Sequence, residues 1–273
     1  METWKVKLVK ALEKSGKSFV KISFYNFKFD KDFLINEKED LLNDTNKAIK
    51  WFVGETFWQG RSDWLSNVYR RAFSRSFDKI YSNEAFSKVS FDENKVESLI
   101  EEFEREVEKL KKKSGESYKL NKKDIRRLEA LFSNFLPKLE VYQFNPVKFI
   151  VEETQNGHLK ELFEKNLIIW GIGPKVRALI LRGIVQVFDL EEYVKEEDKK
   201  DLFPVDTHVR QICQLIWPET EGKNDRGLAK FVVEQCQKLR VSPLNFNSGC
   251  WILGSTAQEA FNILMNQLLR SRR

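Results

Sequence analysis

Apolar and polar positions alternate along this chain with two different periods, and only one of them persists. In residues 18–29, Phe19, Val20, Ile22, Phe24, Tyr25, Phe27 and Phe29 are interleaved with Ser, Lys and Asn in near alternation. A two-residue period carried by β-branched and aromatic side chains predicts one strand or a short hairpin. From Leu41 onward the spacing changes to three and four. Ala48, Trp51 and Phe52 mark one helix and Trp64, Leu65, Val68 and Ala72 a second, with a loop from Gly54 to Asp63 between them. Residues 94–113 place Val96, Leu99, Ile100, Phe103, Val107 and Leu110 on one face among Glu and Lys. That pattern predicts an amphipathic surface helix with a solvated charged face. The lysine-rich stretch from Lys111 to Lys123, broken at Ser114-Gly115, reads as a basic loop between helices, either a solvated linker or a contact for phosphates.

Beyond Pro146 the helical stretches shorten. Turns fall at Asn156-Gly157 and at Gly171-Ile172-Gly173-Pro174, and Pro204, Pro218 and Pro243 each border a helical stretch. There is no internal repeat and no low-complexity segment. The predicted fold is mostly α with a small N-terminal β element.

Composition narrows the class. With 41% hydrophobic residues, among them 22 Phe, the chain can bury a large core and is not disordered throughout. Twelve Gly and six Pro are too few for a turn-rich all-β protein. No window reaches the ~18–20 apolar residues of a membrane helix, and Met1-Glu2-Thr3-Trp4-Lys5 is no secretion signal. An intracellular protein without membrane contact is expected. Three cysteines, at 213, 236 and 250, exclude a disulfide framework and any CxxC-type zinc or iron–sulfur site, so no metal and no cofactor is expected. They read as small core residues. The net charge of +6 is compatible with nucleic acid but does not require it.

Two local patterns carry candidate chemistry. In the first, the apolar run Leu167-Ile168-Ile169-Trp170 meets Gly171-Ile172-Gly173-Pro174-Lys175, and a second helix follows with Ala178 on its packed face. Glycines open backbone conformations closed to other residues and let the turn approach another molecule closely. The following helix start presents free N–H groups and the positive end of its dipole. Such a turn grips a phosphodiester without reading sequence, although Gly-x-Gly between helices is also an ordinary tight turn. In the second pattern, Phe203-Pro204-Val205-Asp206-Thr207-His208-Val209-Arg210, an Asp precedes a helix carrying Val209, Ile212 and Ile216. Asp206 is an N-cap by position, and a cap can also be a catalytic carboxylate.

Taken in this order, the Gly171–Lys175 turn and the Pro204-Val205-Asp206-Thr207-His208-Val209 segment resemble the helix-hairpin-helix DNA glycosylases. The resemblance implies a two-lobed helical fold and a catalytic Asp at position 206. A lysine at position 175 resembles the bifunctional members, which excise a base and cleave the strand. The separation of 31 positions from Lys175 to Asp206, lengthened by the charged segment Asp189–Asp201, is similar to that of the archaeal-type 8-oxoguanine glycosylases. The absence of cluster cysteines sets the chain apart from endonuclease III. Residues 243–251 resemble that branch's C-terminal segment, with Trp251 a candidate wall of the base pocket or simply a core Trp. Asn247 stands where the branch carries a carboxylate. Residues 57–64 resemble its N-terminal pocket loop, with Trp58 and Gln59 as candidates.

The resemblance spans about residues 45–270 and assigns the backbone grip to Gly171, Gly173, Lys175 and His208. His208 reads as structural or phosphate-facing rather than as an acid–base group, and His158 has no partner visible in the sequence. The implied domains are an extension at 1–40, then a glycosylase domain at 41–273 whose hairpin lobe covers about 85–205 and whose second lobe combines 41–84 with 206–273. The two catalytic groups are expected to line one cleft. The implied function is excision of 8-oxoguanine from double-stranded DNA, followed by β-elimination through a lysine Schiff base, by a monomer. Two alternatives stay open: another damaged base on the same scaffold, and a non-catalytic helix-hairpin-helix DNA-binding module.

Overall fold

The computed structural model describes residues 3–28, 35–58, 63–81, 86–114 and 120–256. Among the described residues the α-helices are α1 (Thr3–Lys28), α2 (Asp40–Asn43), α3 (Thr45–Glu55), α4 (Asp63–Tyr81), α5 (Glu93–Ser114), α6 (Lys122–Glu129), α7 (Pro146–Gln155), α8 (Leu159–Glu161), α9 (Pro174–Val187), α10 (Thr207–Ile216), α11 (Asp225–Lys238) and α12 (Pro243–Thr256), and no strand occurs. The chain is mostly helical, as its dominant period predicts. The expected β element is overturned, because residues 18–28 continue α1. The physical reason lies in the turns before it. Val9 and Leu12 are buried, Gly16 follows Leu12 at i+4, and once this face has nucleated a helix each further residue costs little to add. Local strand propensity loses to that anchored start.

The chain divides into two compact units, residues 25–184 and residues 1–24 together with 185–273. This division places 41–84 with 85–184, and it makes the first 24 residues part of the C-terminal unit, where the sequence suggests a separate extension.

The unit of residues 25–184 is built on aromatic side chains. Phe57, just after α3, stacks on Phe103 of α5 at 5.8 Å, Tyr69 of α4 meets Phe103 edge-on at 6.0 Å, and Tyr81 of α4 stacks on Phe132 at 5.8 Å, tying α4, α5 and the π-helical segment Ala130–Phe135 together. On α5, Val96, Leu99, Phe103 and Val107 are buried as their spacing predicts. Its charged face is not wholly solvated, since Glu102 and Glu106 are buried against α4 with Lys79 Nζ 2.5 and 2.6 Å away. The expected basic loop is helical at both of its described ends: α5 runs to Ser114, and Lys122 and Lys123 open α6 after the cap of Asn121, whose Oδ1 accepts from Lys123 N, while residues 115–119 lie outside the described residues.

The other unit buries Val9, Leu12, Val209, Ile212, Cys213, Ile216, Val232, Cys236, Phe246 and Cys250 in one core. α12 is approached closely on two sides. A Cβ on Gly249 would stand 2.0 Å from Leu12 O of α1, a Cβ on Gly16 1.8 Å from Asn245 O, and a Cβ on Gly254 2.3 Å from His208 Cβ of α10. The segment 189–201 forms short 3-10 turns, with Asp198 and Lys199 buried and Lys199 Nζ 2.6 Å from Glu196.

Candidate functional site

The Gly171–Lys175 turn belongs to residues 25–184. α8 passes into the π-helical segment Leu162–Asn166, the chain turns through residues 167–173, and α9 begins at Pro174. Only one of the two glycines needs its special backbone freedom. Gly171 has φ +78°, in the left-handed region, whereas Gly173 has none, and its missing side chain faces open space. Beneath Gly171 lies Arg127, whose Cβ would be 3.2 Å from an added methyl. Arg127 is fully buried. Its Nη2 donates to Asp124, Nη1 donates to Thr56 O at 2.6 Å, and the guanidinium lies 5.0 Å from the Phe57 ring centre. One buried cation thus braces both the hairpin turn and the start of the loop after α3.

A second brace lies inside the hairpin. Arg177 Nη1 donates to Phe163 O at 2.6 Å. The two amides that helical spacing would bring to that carbonyl, Leu167 and Ile168, donate instead to Leu162 and Lys165. Arg177 therefore satisfies an acceptor left over by the π-turn and ties α9 to the helix before it. Burial pulls the Arg177 guanidinium below its usual value.

Lys175, the second residue of α9, is exposed and has no acidic partner among the described residues. The backbone amides of Gly173 and Lys175 donate to no backbone carbonyl among the described residues, leaving the helix start open. Pro174, having no N–H, suits the first helical position.

Trp58 is half-buried, with the Arg70 guanidinium 5.3 Å from its ring centre. Beside it Glu55 is pushed above the usual carboxylate range by burial, against the opposing pulls of Arg70, a hydrogen bond from Trp58, and Arg182. The sequence gives no hint of this acid, which looks like any helix-end Glu. Gln59 lies outside the described residues.

In the other unit, Asp206 caps α10, and its Oδ1 accepts from Val209 N at 2.8 Å. Its Oδ2 accepts no hydrogen bond among the described residues. Asn247 is fully buried and its Nδ2 donates to Pro204 O at 3.0 Å, which makes it a brace for the segment that delivers Asp206. Trp251, one turn further along α12, is half-buried. His208 is also half-buried, held against the bare Cα of Gly254. The structure thus gathers Asp206, His208, Asn247 and Trp251 on α10 and α12 of one unit, and Gly171, Gly173, Lys175 and Trp58 in the other.

The cysteines are buried and free, and burial pushes the Cys236 and Cys250 thiols upward, which leaves little reactive thiolate. No group of His, Cys, Asp and Glu suited to a metal ion occurs among the described residues. His158 acquires the partner that the sequence hides, with Nδ1 2.9 Å from Glu153 Oε2. No described helix is long and apolar enough to cross a membrane. No family model, curated protein or solved structure matches this chain.

Proposed function

We propose that this protein is a helix-hairpin-helix DNA glycosylase with AP-lyase activity, acting on 8-oxoguanine in double-stranded DNA. The observation that carries the reading is the setting of Lys175. An exposed amine without an acidic partner stands on the first turn of α9, directly after a braced turn whose open amides suit a phosphate.

In this reading the neutral amine of Lys175 attacks C1′ of the damaged nucleotide. The C1′–N bond breaks, its electron pair leaves with the base, and the base takes up a proton. The second oxygen of Asp206 stabilises positive charge on the sugar and shuttles the amine's proton. Ring opening gives the Schiff base. Loss of a C2′ proton then expels the 3′ phosphate by breaking C3′–O, and water releases Lys175. A base inside a duplex is reached only by rotating it out of the stack, at an unstacking cost of a few kcal/mol.

Borohydride reduction should trap a covalent complex with a duplex containing 8-oxoguanine, and Lys175→Gln should abolish it. Asp206→Asn keeps a good N-cap, so it should fold and bind DNA while excision falls on the order of 10²–10³-fold. No trapped complex with any oxidised-base duplex would overturn the lyase. Asn247, neutral and buried where a carboxylate is expected, favours a second reading in which another damaged base is the substrate. A lesion panel decides between them, because preference for 8-oxoguanine over every other lesion rejects the second. Binding of duplex DNA by the unaltered chain with no excision of any lesion would point instead to a module that only binds DNA, and full activity of Asp206→Asn would overturn the role given to that carboxylate.

A further inference from the structure

At the tip of the hairpin turn, Trp170 is 48% exposed and Ile168 66%. A large apolar pair left in water is informative only where the chain could have buried it. Here the turn is fixed from beneath by Arg127 under Gly171 and by Arg177 on Phe163 O, so the exposure belongs to a rigid element. Arg126 lies with its guanidinium 6.0 Å from the centre of the Trp170 ring. Lys122 shares the Arg126 face of α6 at i, i+4 spacing, and Lys123 adjoins it. All three cations are exposed and have no acidic partner among the described residues. Asp124, the acid of that helical turn, points inward to Arg127, and the exposed Glu129 sits at the far end of α6.

We propose that Trp170, with Ile168 and the cations of α6, forms a stacking platform for an unpaired base of a DNA strand. An indole face gains most from another π face, and every base supplies one. In a closed duplex those faces are occupied by neighbouring bases, so the platform fits a single strand, a gap or an end. The cations suit the flanking phosphates, and Arg126 adds its own attraction to the ring. A cationic rim favours a polyanion over an apolar protein surface. The inference rests on the DNA reading of the hairpin and adds to it a preference for unpaired strand.

The test is fluorescence anisotropy of the full chain with a labelled oligothymidylate and with a blunt duplex of the same length. Trp170→Ala should weaken oligothymidylate binding about tenfold and duplex binding by less than about threefold, and Trp170→Phe should restore most of the loss. Arg126→Gln should weaken both and lower the salt slope by about one. No binding of oligothymidylate by the unaltered chain, an unchanged affinity in Trp170→Ala, or equal losses on both DNAs would each overturn the platform. Borohydride trapping on the same preparations separates the two claims. Trapping with an unchanged Trp170→Ala overturns the platform alone, while selective loss on oligothymidylate without trapping overturns the lyase alone.

Discussion

Arg127 shows how much a single side chain can decide at the residue scale. It is adjacent to Arg126 and of the same type, yet one is buried beneath Gly171 and the other lies in solvent over Trp170. The only trace in the sequence is the i, i+3 spacing to Asp124, and that spacing is common on exposed helices too. Which of two neighbouring arginines turns inward depends on the orientation of α6 against the hairpin. Removing a buried ion-pair partner strands the other charge, so Arg127→Met should destabilise the protein by about 3–5 kcal/mol. The double change Arg127→Met with Asp124→Leu should recover much of that loss. Urea unfolding measures both, and a cost below about 1 kcal/mol for the single variant would mean the pair is not desolvated. Asp206 is the contrasting case. Its capping position before an apolar helix was legible, because a cap depends only on a few neighbouring residues.

At the scale of elements, α12 owes its position to glycine. Gly249 and Gly16 leave room for backbones to meet, and neither contact can be read from a sequence in which glycine also marks turns. Gly16→Ala and Gly249→Ala should each lower stability by at least about 1–3 kcal/mol, since backbone atoms have no soft rotamer to yield. Gly173→Ala meets nothing within 4 Å and has an ordinary φ, so its effect on stability should stay near the helix-start background. Equal thermal melts for Gly16→Ala and Gly173→Ala would refute the close approach. A second element contact sets pH dependence. The Tyr142 hydroxyl, on the 3-10 segment Leu136–Tyr142, donates to Glu153 Oε1 of α7 at 2.7 Å. That bond pushes Tyr142 up to about 12 from 10.0. For Glu153, burial raises the carboxyl, but hydrogen bonds from Tyr142 and His158 outweigh it and hold it below its ordinary 4.5. The raised Tyr142 contributes stability below pH 10.0 that is lost as pH rises toward about 12. The lowered Glu153 contributes stability above pH 4.5 that is lost as pH falls through its folded value. Tyr142→Phe should therefore flatten both limbs of a stability–pH curve and cost about 1 kcal/mol at neutral pH.

For the whole molecule, the first residues are the most consequential difference from the sequence reading. Val9 and Leu12 belong to the core of the unit formed with residues 185–273. Burying two such side chains contributes about 1.5–3 kcal/mol each. Deleting residues 1–18 should then lower Tm by about 10 °C, whereas a detachable extension would leave the melt unchanged. What the sequence determined by itself was whatever depends on near neighbours. The three-to-four spacing made the chain helical, the apolar face of α5 was legible down to Phe103 and Val107, and the turn at Gly171–Pro174 and the Asp206 cap announced themselves through Gly, Pro and Asp at fixed offsets. Only tertiary structure decided the rest. Residues 18–28 became helix, Glu102 and Glu106 went inside against Lys79, and Asn247 turned inward to the Pro204 carbonyl. In each case the deciding partner lies far away in the chain or in the packing of a whole face. Burial and distant hydrogen bonds are worth more than the few tenths of a kcal/mol by which local propensities differ.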